Sequence, residues 1–159
     1  MDSTVQPQRI TIEQIGFRYG LMLAGANIGF FLLMALFGLE DEIWLRFVNL
    51  VFIFLFAYRG MQYFKHHTQN HWTYLKGLGL GIFIVLVGAA VFAVFLGLYG
   101  LLNQQFVVSI NEATNMSMNF NPVFIAFIAF VETMIYGFIL VFAAMQRLKT
   151  THMQDAVHI

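Results

Sequence analysis

Four apolar runs, each about two dozen residues long, constrain this chain more than any other feature of it. A helix needs about 20 mainly apolar residues to cross a hydrocarbon core of about 30 Å. The runs from Phe17 to Leu39, Ile43 to Phe64, Tyr74 to Leu102 and Pro122 to Leu148 all reach that length. They lack the two-residue alternation of a membrane barrel strand and are far longer than its ~10 residues. A helix also pairs its own backbone donors and acceptors, which lipid cannot do for it. The sequence therefore predicts an all-α fold, a transmembrane four-helix bundle in a single integral membrane domain over residues 1–159. The expected spans are 17–39, 43–64, 74–102 and 122–148.

Composition agrees with lipid as the solvent. Hydrophobic residues make up 60% of the chain and charged ones 10%, where soluble domains carry about 25% charged residues. Nineteen Phe exceed what a core of this size packs, whereas a surface facing acyl chains carries them without penalty. A formal net charge of +0 provides no field to attract nucleic acid, so no nucleic-acid partner is expected. The absence of cysteine excludes disulfides, thiolate metal sites and cysteine nucleophiles. The polar start through Gln14 lacks the basic opening and short apolar core of a cleavable signal, so the first run is expected to remain as an anchor.

Direction follows from the basic residues. With the N-terminus inside, Arg9, Arg18, Arg59, Lys65, Lys76, Arg147 and Lys149 are cytoplasmic and Arg46 alone is external. That asymmetry predicts a multi-pass protein with both termini cytoplasmic, in a bacterial inner (cytoplasmic) membrane. Arg18, Arg59 and Arg147 are expected to snorkel to lipid phosphates. Arg46 lies four residues after Glu42, the spacing of a surface ion pair. The first two loops are short and make their helices antiparallel neighbours. In the outer loop 103–121, Phe106, Val107, Ile110 and Ala113 recur at helical spacing, which predicts a short outer interfacial helix lying on the membrane or capping the bundle. Asn115-Met116-Ser117 matches a glycosylation acceptor, which has meaning only in a eukaryotic secretory pathway.

Helix association in lipid depends on close approach, which small residues permit. Gly20, Gly25 and Gly29 on the first helix, Gly77, Gly81 and Gly88 on the third and Gly137 on the fourth are the expected packing positions. They serve either one bundle or a homo-oligomer.

Glu132 is the candidate for chemistry. It lies about ten residues into its span, about 15 Å deep by helical rise. Asp at a helix centre costs about 2.5–3.5 kcal/mol on insertion scales, so a Glu there is expected to face protein or water, or to be neutral. Asn27 lies at similar depth on the first helix, Asn49 in the outer third of the second, Tyr136 one turn after Glu132 and Thr133 beside it. An intramembrane polar cluster of these five residues reads as a proton, cation or polar-ligand site, or as interhelical hydrogen bonding that fixes register. His66, His67 and His71 resemble a metal site, but their spacing is not that of a zinc motif and no Cys or carboxylate joins them; a solvated turn and no metal are expected. No nucleophile elbow, phosphate loop or paired carboxylates appear, so neither an enzyme nor a cofactor is expected.

The residues Arg18-Tyr19-Gly20-Leu21, Tyr63-Phe64-Lys65, Tyr74 through Gly81, and Asn121-Pro122 through Glu132 to Gly137 together resemble an uncharacterised bacterial four-span membrane family, domain of unknown function 4199. The resemblance covers about Phe17 to Lys149, departs in the Asn- and Met-rich loop, and implies an inner-membrane protein without implying an activity. The expected function is that of a small non-enzymatic membrane protein, an accessory, assembly or sensing subunit whose partners are the bilayer and a membrane protein or a second copy of itself. The alternative is a proton- or cation-coupled transporter or channel-like protein using Glu132. A lipid-binding protein is a third reading.

Overall fold

The structure, a computed structural model, describes residues 11–38, 43–67, 73–114 and 120–157. The loop acids Glu40-Asp41-Glu42, His71, Trp72 and the tripeptide Asn115-Met116-Ser117 lie outside the described residues. The described residues form five helices: α1 Ile12–Leu36, α2 Ile43–His67, α3 Tyr74–Leu102, α4 Gln104–Thr114 and α5 Pro122–Val157. All but α4 are long and apolar enough to cross a membrane, which makes this an all-α, multi-pass membrane protein.

The helix boundaries follow local chemistry more closely than hydropathy. Helix α1 begins at Ile12, five residues before the apolar run, because the Thr11 hydroxyl accepts from the Gln14 amide at 3.4 Å and Glu13 sits in the first turn. It stops at Leu36, short of the expected Leu39, where Gly38 adopts φ +66 and its amide returns to the Ala35 carbonyl at 3.1 Å. Helix α2 runs past Phe64 to His67, with Lys65, His66 and His67 completing a last turn whose carbonyls favour positive charge. Helix α5 opens with Pro122 after Asn121, whose Oδ1 accepts from the Phe124 amide at 2.7 Å. It continues beyond Leu148 to Val157, since loss of apolar character ends a span without ending a helix.

Helix α3 packs along α1, α2 and α5, and α2 also touches α1 and α5, so α1 and α5 lie on opposite sides of the α2–α3 pair. Gly16, Gly20 and Leu23 of α1 meet Phe83, Val87 and Gly88 of α3, rising together, and those two helices are parallel. Gly81, Gly97 and Gly100 of α3 meet Val141, Ala126 and Pro122 of α5, which makes that pair antiparallel.

The apolar interior falls into two clusters. One, at the end rich in basic residues, contains Ile15, Ile53, Met61, Leu80, Val141 and Leu148. The other, at the end carrying α4, contains Leu96, Phe106 and Ile125. Phe106 anchors α4 there: its ring lies 5.7 Å from Phe31 and 5.3 Å from Tyr99, both edge-on, an arrangement worth roughly 0.5–1.5 kcal/mol per pair beyond burial. Helix α4 thus caps the bundle through Phe106, as its spacing predicted for one of two placements. Asn111 ties α4 to Phe120, just before α5: its Oδ1 accepts from the Phe120 amide at 2.8 Å while its Nδ2 donates to the Phe120 carbonyl at 3.3 Å.

Candidate functional site: the outward face of α5

Glu132 lies between Ala126, which faces Gly97, and Gly137, which faces Val85, and so is level with Ala90 and Val91 near the middle of α3. It is half-buried and Tyr136 is exposed. Both line a groove of about 360 Å³ between Phe124 and Tyr136, whose walls come from α5 alone: Phe127, Ile128, Val131 and Ile135 complete it. The groove faces away from the bundle because Ala126, Gly137 and Val141 occupy the face turned to α3. One carboxyl and one phenol are thereby presented on an otherwise apolar surface at mid-depth. Thr133, beside Glu132, donates its hydroxyl to the Ala129 carbonyl at 2.7 Å and is engaged within its own helix.

Asn27 belongs elsewhere. It is 1% exposed and lies one turn from Leu23, which packs on Gly88, and one turn from Phe31, whose ring lies 5.8 Å from Phe95. It therefore sits on the α3-facing stripe of α1, between the two apolar clusters. Asn49 precedes the buried Ile53 of α2 by one turn. The Oδ1 atoms of Asn27 and Asn49 are both buried and accept no hydrogen bond from described residues, Tyr136 included. Each lies three residues from the Phe30–Phe52 ring contact, on opposite sides of it, so they are about 9 Å apart in depth. The five expected polar residues therefore do not gather: Glu132 and Tyr136 line the α5 groove, Thr133 lies beside it on α5, Asn27 sits in the α1–α3 seam and Asn49 on the interior face of α2.

Among the expected packing glycines, Gly20, Gly81, Gly88 and Gly137 meet neighbouring helices so closely that a Cβ would collide with them, and Gly77 is buried on α3. As packing positions within one bundle, Gly25 and Gly29 require a correction: they are exposed, with nothing within 4 Å of an added Cβ. At about 100° per residue they lie about 140° and 180° round α1 from Gly20, so one helix cannot use both stripes against α3. Gly16, Gly60 and Gly100 also make close contacts with neighbouring helices.

His66 and His67 are exposed, and His67 Nδ1 lies 2.9 Å from the Tyr63 carbonyl with its ring 4.2 Å from Tyr63. No metal-competent group of three occurs among the described residues. Nearby, Lys65 Nζ donates to the Leu148 carbonyl at 3.2 Å and joins α2 to α5. Sequence reasoning did not single out Asn103, Asn111 or this role of Lys65. Asn103 has a local signal, a polar residue closing a long apolar run: its Oδ1 accepts from the Phe106 amide at 3.3 Å and its Nδ2 donates to Tyr99 Oη at 3.1 Å.

No protein-family model matches the chain, and no curated protein or solved structure matches it.

Proposed function

We propose that this protein is a non-enzymatic four-span subunit of a bacterial cytoplasmic membrane, with both termini cytoplasmic, that works by helix contact with a membrane partner. The observation that carries this reading is the α5 groove. A carboxyl at mid-depth is costly in lipid, and such groups face protein or water. Here Glu132 and Tyr136 open onto the outer side of one helix, where a neighbouring transmembrane helix with a hydrogen-bonding group can reach both. An accessory, assembly or sensing role follows from a surface made for contact. The likeness to the four-span family of unknown function belongs with this proposal and supplies no activity of its own.

A carrier using Glu132 is the competing reading, and the mid-depth carboxyl is what favours it. The subunit reading is preferred because Asn27 and Asn49 are placed away from the groove, so no enclosed path of polar groups leads to the carboxyl from either.

The chain has no cysteine, so a single Ile128→Cys supplies a unique thiol in the groove. Cross-linking in native membranes is expected to trap one discrete adduct through Ile128→Cys and none through Leu21→Cys on α1. A ladder of nonspecific products from both positions would overturn the proposal. Reporter fusions at the two termini test the orientation.

A further inference from the structure

The basic residues do not share one level. Tyr19 of α1, Gly60 of α2 and Ile84 of α3 meet at one point, where a Cβ on Gly60 would lie 3.2 Å from Cγ of Tyr19 and would collide with Ile84. Arg18 and Arg59 immediately precede two of those residues, so the arginines flank the α1–α2 contact at the level of Ile84. Ile84 is ten residues into α3, about 15 Å beyond its first residue. Lys65, bonded to the Leu148 carbonyl, and Arg147 lie near the very end of the bundle instead. Arg18 and Arg59 are both exposed, and neither has a hydrogen-bond or ion-pair partner among the described residues.

The apolar belt is consequently uneven. At the α4 end it is level, for Phe31 rings against Phe95 and Tyr99 while Gly100 faces Pro122. From Leu36 down to Arg18 the outward face of α1 is apolar for 18 residues, about 27 Å. On α5 the outward face is apolar from Val123 to Ala143 apart from Glu132 and Tyr136 of the groove, and its next polar residue is Gln146, about 35 Å from Val123. A rigid tilt would slant both ends equally, and only the basic end is slanted. Two guanidiniums thus stand at a depth that acyl chains occupy on the opposite side of the bundle.

We propose that Arg18 and Arg59 form a binding site for the phosphate of an anionic phospholipid, which draws the leaflet at the basic end towards the α1–α2 face. Guanidinium presents a planar fork that matches two phosphate oxygens, and a pair of them neutralises a phosphodiester that carries no compensating cation. A choline headgroup brings its own positive charge against the arginines and is disfavoured. Basic pockets between transmembrane helices recognise anionic headgroups by this chemistry.

Native mass spectrometry of the full chain in mild detergent, titrated with phosphatidylglycerol or phosphatidylcholine, reads the site directly. The protein is expected to retain one phosphatidylglycerol in preference to phosphatidylcholine. Arg18→Gln and Arg59→Gln are each expected to weaken retention about fivefold, and Arg147→Gln to leave it unchanged. Equal retention in the Arg18→Gln/Arg59→Gln double variant overturns the site. Displacement by millimolar inorganic phosphate overturns the lipid assignment, because free phosphate would then be the ligand. A second measurement keeps both arginines. Phe17 and Ile139 are exposed at the same level on opposite sides of the bundle, and spin labels on Phe17→Cys and Ile139→Cys report their surroundings in phosphatidylglycerol bilayers. The Phe17 label is expected to collide with an aqueous nickel reagent and the Ile139 label with dissolved oxygen. Identical accessibility at the two positions refutes a drawn leaflet.

Discussion

Gly81 of α3 and Val141 of α5 meet so closely that a Cβ placed on the glycine would lie 2.6 Å from Cγ1 of the valine. The same Cβ would lie 3.0 Å from Sδ of Met61, so a single hydrogen atom on Gly81 lets three helices converge. Val141 is buried and branched at Cβ, and it has little rotamer freedom with which to yield.

Gly81→Leu is therefore expected to cost more than the 1–3 kcal/mol typical of overpacking, roughly, and to lower the melting temperature in detergent. Gly25→Ala and Gly29→Ala face open space and are expected to leave it unchanged or raise it, since Ala exceeds Gly in helix propensity by up to about 1 kcal/mol. Equal melting temperatures for Gly81→Leu and wild type would show that the α3–α5 seam is looser than this contact implies.

Asn27→Leu is expected to stabilise the bundle by about 1–2 kcal/mol. Leu keeps the number and branching of the side-chain heavy atoms, and it removes a buried acceptor whose missing partner costs roughly 1–3 kcal/mol. Unfolding in mixed detergent measures the difference. A destabilised variant would mean that the Asn27 oxygen is satisfied by a group from outside the chain.

Glu132→Gln keeps the shape and hydrogen-bonding capacity of the side chain. Under the subunit reading it is expected to preserve cross-linking through the α5 groove, and wild-type proteoliposomes are expected to show the same proton and cation flux as empty vesicles. Flux that depends on the wild-type carboxyl and disappears in Glu132→Gln favours the carrier instead.

Phe106→Ala is expected to release α4 while leaving the four long helices in place. Truncating a buried Phe costs about 3–5 kcal/mol, more than a single-turn contact between α3 and α4 replaces. Amide exchange is expected to accelerate over Gln104–Thr114 and to stay slow in α3.

Lys65→Met retains the apolar stem and loses the ammonium bond to the Leu148 carbonyl. Lys65 is only half-buried, so solvent screening keeps the expected loss to about 1 kcal/mol. The change is read as faster exchange in α5 near Leu148, with α1 as the unaffected reference.

What the sequence determined by itself is the helical class, the existence of each span and the presence of α4. Length and hydropathy report directly on the solvent, and Asn121-Pro122 marks a helix start from covalent geometry alone. Mid-depth Glu132 was legible for the same reason, because helical rise converts residue number into depth. The direction each side chain faces was not legible. Gly20 and Gly25 look alike in a list of small residues, and only the packed bundle shows that a Cβ on one would collide with Val87 while a Cβ on the other would meet nothing within 4 Å. Likewise, equal depth did not bring Asn27 and Glu132 together, because α1 and α5 lie on opposite sides of the α2–α3 pair. A helix that is apolar all round carries little record of which face is turned inward. In lipid that choice is made by side-chain shape where helices touch, a property of pairs of residues on different helices, so only the tertiary structure decides it.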